Sequence, residues 1–403
     1  MTLRRMVTLL VAASLLLSAC TDDSKKQTDG LPVEILAGGG TDPLAARGLD
    51  AKITGIVKDL EVGRDGVVRL LSWIDGKTSI LLIHPDGTLQ RINLGAAGQL
   101  GDELAVADDG TMYVGYDFPG GFGIANVTAA GKVTRVVGGL KGGETKDGLA
   151  ATGPADAMDG LTVDRQGRLV YSELRGPSNQ VQKLIRRVEV DGTVKTIAGK
   201  IMTFKGSDDY EAAQKKSGAP PEGTRALDWP LPGDYQTRTL STGDDGTIYA
   251  ESLNSVLAFA PDGTVSAPVQ RRPYDAAKIG DRPFAREGDA VDADPDFAGT
   301  EYHNVSAGGG YLAMLTESGR SGRPPAFRWT GDLTPAQRQL ADAEPSISTS
   351  GDPRQVVRLV LPDRSVTTAA WWAEGVTVHD GWLYLVTGDK TDNLLIARVK
   401  LPA

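Results

Sequence analysis

The sequence predicts an all-β fold, a six-bladed β-propeller of four-stranded blades in which the N-terminal strand closes the last blade. Three observations carry the prediction. Glycine is abundant, a double-hairpin unit recurs six times, and the sixth unit is one strand short. Gly makes up 50 of the 403 residues, against a usual share of about 7%. A helical bundle does not tolerate this, because each interior Gly costs about 1 kcal/mol. A tight turn at every strand end does.

Each unit opens on alternating apolar residues that run into a Gly-centred turn. The six openings are Asp59-Leu-Glu-Val-Gly-Arg-Asp-Gly66, Glu103-Leu-Ala-Val-Ala-Asp-Asp-Gly110, Gly160-Leu-Thr-Val-Asp-Arg-Gln-Gly167, Thr239-Leu-Ser-Thr-Gly-Asp-Asp-Gly246, Asn304-Val-Ser-Ala-Gly-Gly-Gly310 and Gly375-Val-Thr-Val-His-Asp-Gly381. A second strand follows each turn, as in Thr111-Met-Tyr-Val or Trp382-Leu-Tyr-Leu. Period-two alternation around such a turn is a hairpin signal. A second hairpin turns at Asp86-Gly87, Gly131, Asp191-Gly192, Asp262-Gly263 and Asp363. Two hairpins per unit give four strands, and four-stranded units repeated around an axis are propeller blades. The sixth unit ends after Leu394–Val399. Its missing outer strand is found in Val33-Glu-Ile-Leu-Ala-Gly38, which is similar to Val194-Lys-Thr-Ile-Ala-Gly199 in unit three. Closing the ring in this way leaves no strand edge at the seam.

These segments resemble the NHL-repeat family, whose units have an outer strand ending Thr-Val-Ala-Gly, an Ala-rich loop and a Gly-Val-Ala-Val-Asp strand. The chain has Thr196-Ile-Ala-Gly199, Gly160-Leu-Thr-Val-Asp164 and Arg186-Arg-Val-Glu-Val-Asp-Gly-Thr193, with matching loops at Pro43–Lys52 and Lys146–Ala157. The resemblance covers residues 33–400 and is degenerate in unit five. The family's Asp-Xaa-Xaa-Asn after the second strand is missing from most units.

Three insertions interrupt the repeat, near residues 200–231, 268–302 and 318–355. The last contains Thr334-Pro-Ala-Gln-Arg-Gln-Leu-Ala-Asp-Ala-Glu344, which predicts a short helix with a Thr cap and Pro at its first position. The other two read as loops.

The N-terminus has its own logic. Residues 1–19 combine Arg4 and Arg5 with the apolar run Met6–Leu17, a secretory signal too short for the roughly 20 residues that span a bilayer. Leu17-Ser18-Ala19-Cys20 resembles the lipobox of bacterial lipoproteins. That resemblance implies cleavage before Cys20 and acylation of Cys20 with chains such as palmitate. Cys20 is the single cysteine of the chain, so a disulfide framework and Cys-type zinc sites are excluded. Residues 20–32 are polar and form a flexible tether. The expected location is the outer face of a bacterial cell membrane. Arg4-Arg5 leaves both the general secretory and the twin-arginine export routes open.

Charge narrows the partners. Lys+Arg 43 against Asp+Glu 52 give −9, and without a basic stripe the chain is not expected to bind nucleic acid. It is expected to be a monomer. No nucleophile elbow, phosphate loop, HExxH or EF-hand pattern is present in the sequence, and such motifs carry the commonest catalytic sites.

The innermost strands of a propeller line its axis, so their first residues converge. The repeat alignment places Asp59, Glu103, Asp159, Arg238, His303, Asn304 and Glu374 in this ring, with Lys58 and Asp102 beside it. Two readings follow. One is a hydrated polar channel in a non-catalytic propeller that binds a protein, peptide or glycan through its insertions. The other is a metal site, because converging oxygen ligands suit Ca²⁺ or another divalent cation. Glu374-Gly-Val, His303-Asn304-Val and Asp159-Gly-Leu resemble ring positions of gluconolactonase propellers. That resemblance implies a hydrolase or lyase with one axial ion on Glu374, Asp159 and Asn304, acting as a Lewis acid. His84 and His379 read as surface turn residues. Trp73, Trp382, Tyr113, Tyr249 and Tyr384 read as packing between blades, and Trp371-Trp372 lead into unit six.

Overall fold

A computed structural model describes residues 33–401 except 75–76, 97–99, 141–145, 154–157, 177–181, 217–219, 232–238, 253–254, 271–301, 319–353, 363–365, 372 and 389–392. The signal, Cys20 and the tether lie outside the described residues, as does the helix expected at 334–344.

The chain folds as a six-bladed β-propeller of four-stranded blades. Blade 6 is closed by the first strand, β1 (Val33–Gly38), and a short β2 (Ile53–Thr54) extends its sheet. Blade 1 contains β3 (Ile56–Val62), β4 (Val68–Ile74), β5 (Lys77–Ile83) and β6 (Leu89–Ala96). Blade 2 contains β7 (Leu100–Val106), β8 (Met112–Phe118), β9 (Gly121–Val127) and β10 (Val133–Gly138). Blade 3 contains β11 (Met158–Val163), β12 (Leu169–Arg175), β13 (Gln182–Val188) and β14 (Val194–Ala198). Blade 4 contains β15 (Leu240–Thr242), β16 (Ile248–Ser252), β17 (Ser255–Phe259) and β18 (Val265–Gln270). Blade 5 contains β19 (Tyr302–Gly308), β20 (Tyr311–Ser318), β21 (Arg354–Val360) and β22 (Val366–Trp371). Blade 6 contains β23 (Gly375–His379), β24 (Trp382–Gly388) and β25 (Asn393–Lys400), with β1 outermost against β25.

The expected turns form for a local reason. At Asp109-Gly110 the backbone reverses with Gly110 at φ 83°, a conformation that strongly favours Gly. The Asp109 carboxylate accepts the Thr111 N–H at 2.9 Å, the Asx device that makes Asp a turn residue.

The core is divided between the blades. Six apolar clusters sit one at each blade–blade boundary. Leu70 and Leu81 face blade 6, whereas their neighbours Leu71 and Ile80 face blade 2. Successive residues of a strand point to opposite faces, and both faces of a blade are covered. The middle strands therefore read as nearly continuous apolar runs, such as Ile80-Leu-Leu-Ile83. Trp73 departs from the expected packing, being 40% exposed.

The inner strands begin at one face of the disc, called here the upper face, and end at the lower face. Antiparallel pairing then fixes every other strand end. The chain enters or leaves all three insertions at the upper face: after β14 and before β15, after β18 and before β19, and between β20 and β21. Strands β18, β20, β21 and β19 run to Gln270, Ser318, Arg354 and Tyr302, so they take in the expected margins of two insertions.

The 200–231 segment is more ordered than its loop reading implied. It contains a helix, α1 (Ser207–Lys216). Asp208 and Asp209 lie in its first turn, matching the positive end of the helix dipole. Buried Tyr210 meets Phe204 edge-on at 5.2 Å. The segment then rejoins the repeat. Arg225-Ala-Leu-Asp228 carries a 3₁₀ turn like that in Arg47-Gly-Leu-Asp50. Ala46, Leu149 and Thr224 each accept an N–H from the outer strand of a neighbouring unit, at Leu89, Val194 and Val265. The loop is thus an edge cover for the outermost strands of blades 1, 3 and 4.

The closing strand is expected to be a point of sharp sensitivity. Ala37 of β1 has no solvent exposure and faces Ile396. Ala37→Asp places a charge there and is expected to lower unfolding free energy in urea by about 3 kcal/mol or more. Leu44→Asp, at a position 86% exposed, is expected to stay within about 0.5 kcal/mol of wild type.

Candidate functional site

The axial channel is built from two stacked rings. In each inner strand a buried apolar residue, Leu60, Leu104, Leu161, Leu240, Val305 or Val376, packs between blades. The residue before it belongs to an upper ring and the residue after it to a lower ring. The upper ring is Asp59, Glu103, Gly160, Thr239, Asn304 and Gly375. The lower ring is Glu61, Ala105, Thr162, Ser241, Ser306 and Thr377.

Asp59 is the anchor of the upper ring. Its Oδ1 accepts the Leu60 N–H at 2.8 Å and its Oδ2 accepts the Leu104 N–H of blade 2 at 2.7 Å. Asn304, from blade 5, lies near the same carboxylate and favours its charged form. One side chain of the ring therefore joins blades 1 and 2. Burial pushes the Asp59 carboxyl up to about 6, against the Leu104 and Leu60 hydrogen bonds and Asn304, which favour its charge; nearby Asp102 adds to the rise. Asp102 itself pairs with Lys58 at 2.9 Å.

The remaining expected ring residues are distributed differently. A Cβ placed on Gly388 would lie 2.9 Å from Glu374 Oε1, and one on Gly101 would lie 2.8 Å from Glu103 Oε2. Glu374 and Glu103 thus lie against glycines of their own blades. The backbones of Asp159 and His303 begin β11 and β19 as expected, but their side chains lie outside the described residues, and so does Arg238. Asp59 and Asn304 are the expected residues seen to meet. Among the described residues, no group of three or more His, Cys, Asp and Glu side chains is placed to hold a metal ion.

The lower ring was not expected from the sequence. It opens into a cavity of about 210 Å³ at the lower mouth, lined by all six inner strands. Glu61 is its carboxyl group. Burial first, and then the Asp59 charge two residues away on the same strand, hold Glu61 well above the usual carboxylate range. Four hydroxyl residues complete the ring. Thr162 Oγ1 lies 3.1 Å from Thr242 Oγ1, and Ser306 Oγ lies 3.1 Å from Thr377 Oγ1. His379, read as a surface turn residue, is half-buried at this mouth, and burial lowers its pKa. The one sequence signal for the lower ring is the polar residue that follows each unit's first buried apolar residue, with Ala105 as the exception.

No family model and no curated protein sequence matches the chain. Solved structures share its fold. A protein of unknown function from Bacteroides thetaiotaomicron superposes with a TM-score of 0.50 at 11% identity, over 91% of this chain and 75% of that one. An auxiliary nutrient binding protein from the same organism gives 0.46 at 9% identity, over 91% and 75%. A gluconolactonase from Xanthomonas campestris gives 0.43 at 15% identity, over 92% and 96%. At these identities the likeness is one of fold, and the class it defines is the six-bladed propeller.

The Asp59 environment generates a signed pH prediction. Its folded pKa is raised, so the group favours folding fully below the ordinary value of 3.8, and that contribution is lost as pH rises through about 6. Asp59→Asn cannot ionise. Relative to wild type, its stability in urea is expected to improve between about pH 4 and pH 7.5 by up to about 3 kcal/mol. An unchanged difference across that window would show that Asp59 titrates normally.

Proposed function

We propose that this chain is an exported, lipid-anchored binding propeller on the outer face of a bacterial membrane, presenting its upper face to a protein, peptide or glycan. One topological observation carries the reading. The three insertions leave and rejoin the blades at the upper face, whereas β1 begins at the lower face, where Val33 pairs with Val399. The tether ahead of Val33 therefore joins the disc on the side opposite the insertions. Residues 21–32 number twelve, which gives a relaxed span of about 19 Å. A seven-residue strand is about 23 Å long. The tether is no longer than the disc is thick, so an anchor at Cys20 favours a lower face toward lipid and insertions pointing outward. Long insertions on a rigid scaffold are where binding residues concentrate.

Two measurements test this reading. Cys20→Ser removes the thiol that accepts the lipid, so labelling cells with a palmitate analogue is expected to mark wild type and not the variant. Equal label in both would remove the anchor. Replacing 271–301 or 319–353 with short Gly-Ser links is expected to leave the melting temperature within a few degrees, since the flanking strands keep their partners. At least one replacement is expected to abolish crosslinking to the partner on intact cells. Retained crosslinking in both, and in a third variant lacking 203–219, would overturn the upper face as the contact surface.

A further inference from the structure

The lower mouth lies on the opposite side of the disc from the insertions and stands independently of the reading above. Several rim charges already have partners. Arg64 pairs with Asp108 at 2.8 Å, Asp164 with Arg168 at 2.7 Å, and Asp244 accepts the Gly309 N–H. Arg69, beside Glu61 on β4, is held by both oxygens of Asp65. Glu61 forms no ion pair among the described residues and lines the cavity.

The hydroxyls around it are oriented by the backbone. Ser241 Oγ accepts the Ala307 N–H at 3.0 Å, and Ser306 Oγ accepts the Val378 N–H at 2.9 Å. A hydroxyl that accepts keeps its own hydrogen to donate. In the Ser306–Thr377 and Thr162–Thr242 pairs, one hydroxyl donates to the other and the second keeps its hydrogen. The wall therefore offers several O–H donors, and Glu61 offers an acceptor opposite them. A bare metal cation would find no group of three or more carboxylate or imidazole ligands among the described residues. An anion would be repelled by Glu61 once that group ionises. A neutral molecule carrying several hydroxyls satisfies both sets.

We propose that the lower mouth binds a small neutral polyhydroxyl compound, of the monosaccharide or polyol class, through Glu61 and the hydroxyls of Thr162, Ser241, Ser306 and Thr377. Ligand hydroxyls donating to Glu61 favour its ionised form, as charge-assisted hydrogen bonds do. Binding is therefore linked to deprotonation and strengthens as pH rises. The charged groups facing Glu61 are Asp59 on its own strand, Arg69 on β4, and at the rim Arg64, Asp108, Asp164, Arg165, Asp244 and His379. Burial favours neutral His379, so it opposes this dependence little in the neutral range.

The test is saturation-transfer NMR and calorimetry on the purified full chain, with D-glucose and glucitol as probes, at about pH 5.5 and about pH 8. Saturable binding is expected, weakened about tenfold or more by Glu61→Gln at the higher pH. Thr377→Val, which removes a hydroxyl at constant size, is expected to weaken it about threefold or more. Wild-type binding is expected to weaken at the lower pH, and Glu61→Gln binding is not. Melting curves identify a variant that fails to fold, in which case Thr162→Val replaces it. Absence of saturable binding by both probes overturns the proposal, as does equal binding by wild type and Glu61→Gln. A calcium chloride response that Glu61→Gln removes, with no response to either probe, also overturns it in favour of a cation site.

Discussion

The inner strand of each blade has one edge with no strand to pair with, and that edge faces the axis. Its N–H groups are buried and must find acceptors, since an orphaned one costs about 1–3 kcal/mol. Side chains of the preceding blade provide them. Asp59 reaches Leu104 of blade 2, Ser241 reaches Ala307 of blade 5, and Ser306 reaches Val378 of blade 6. These contacts tie blade 1 to blade 2, blade 4 to blade 5 and blade 5 to blade 6 at the narrowest part of the ring, where apolar side chains have little room. The polar character of the channel is therefore a consequence of closing the ring. The same residues that satisfy the edge form the two rings from which any axial site must be made.

Outside the channel, burial on both faces of every blade does the rest. A cluster such as Leu70, Leu81, Tyr384 and Ile396 is shared equally by two blades, so no blade has a complete core alone. The blades differ in what they add. Blade 3 places Glu173 between Arg175 and Arg186, all three buried, and Gln182 holds Met202 at the start of the 200–231 segment through two hydrogen bonds. A buried ion pair is a poor source of stability. Here it accompanies the anchoring of the segment that carries α1, so this blade is built as a base for that segment.

Much of the fold was legible because it is written in local chemistry. Asp109-Gly110 or Asp262-Gly263 specifies its own reversal whatever surrounds it, and the closing strand announces itself by likeness to Val194–Gly199. The site was legible only in part. Repeat alignment named Asp59, Glu103 and Asn304, which fall at upper-ring positions, but it could not tell that Glu374 and Glu103 lie back on glycines of their own blades, or that Asn304 lies beside Asp59. The lower ring escaped because Thr162, Ser306 and Thr377 look like the ordinary polar half of an alternating strand. Glu61 looks like any solvated glutamate until closure of the ring half-buries it at the axis. The helix at Ser207–Lys216 was hidden inside a segment whose length suggested a loop, although its acidic start and basic end were present.

Ring closure by β1 also has a mechanical side. β1 lies antiparallel to β25 along five paired positions, from Val33 opposite Val399 to Gly38 opposite Leu395, with Glu34 bound to Arg398 at 2.8 Å. Tension on the chain ahead of Val33, resisted at the upper face, runs along this strand and not across it. Such a load is shared by the hydrogen bonds of the pair at once, as in a lap joint, and does not break them one after another like a peeled strip. The seam that completes the propeller is thus oriented to bear a pull from its own N-terminus.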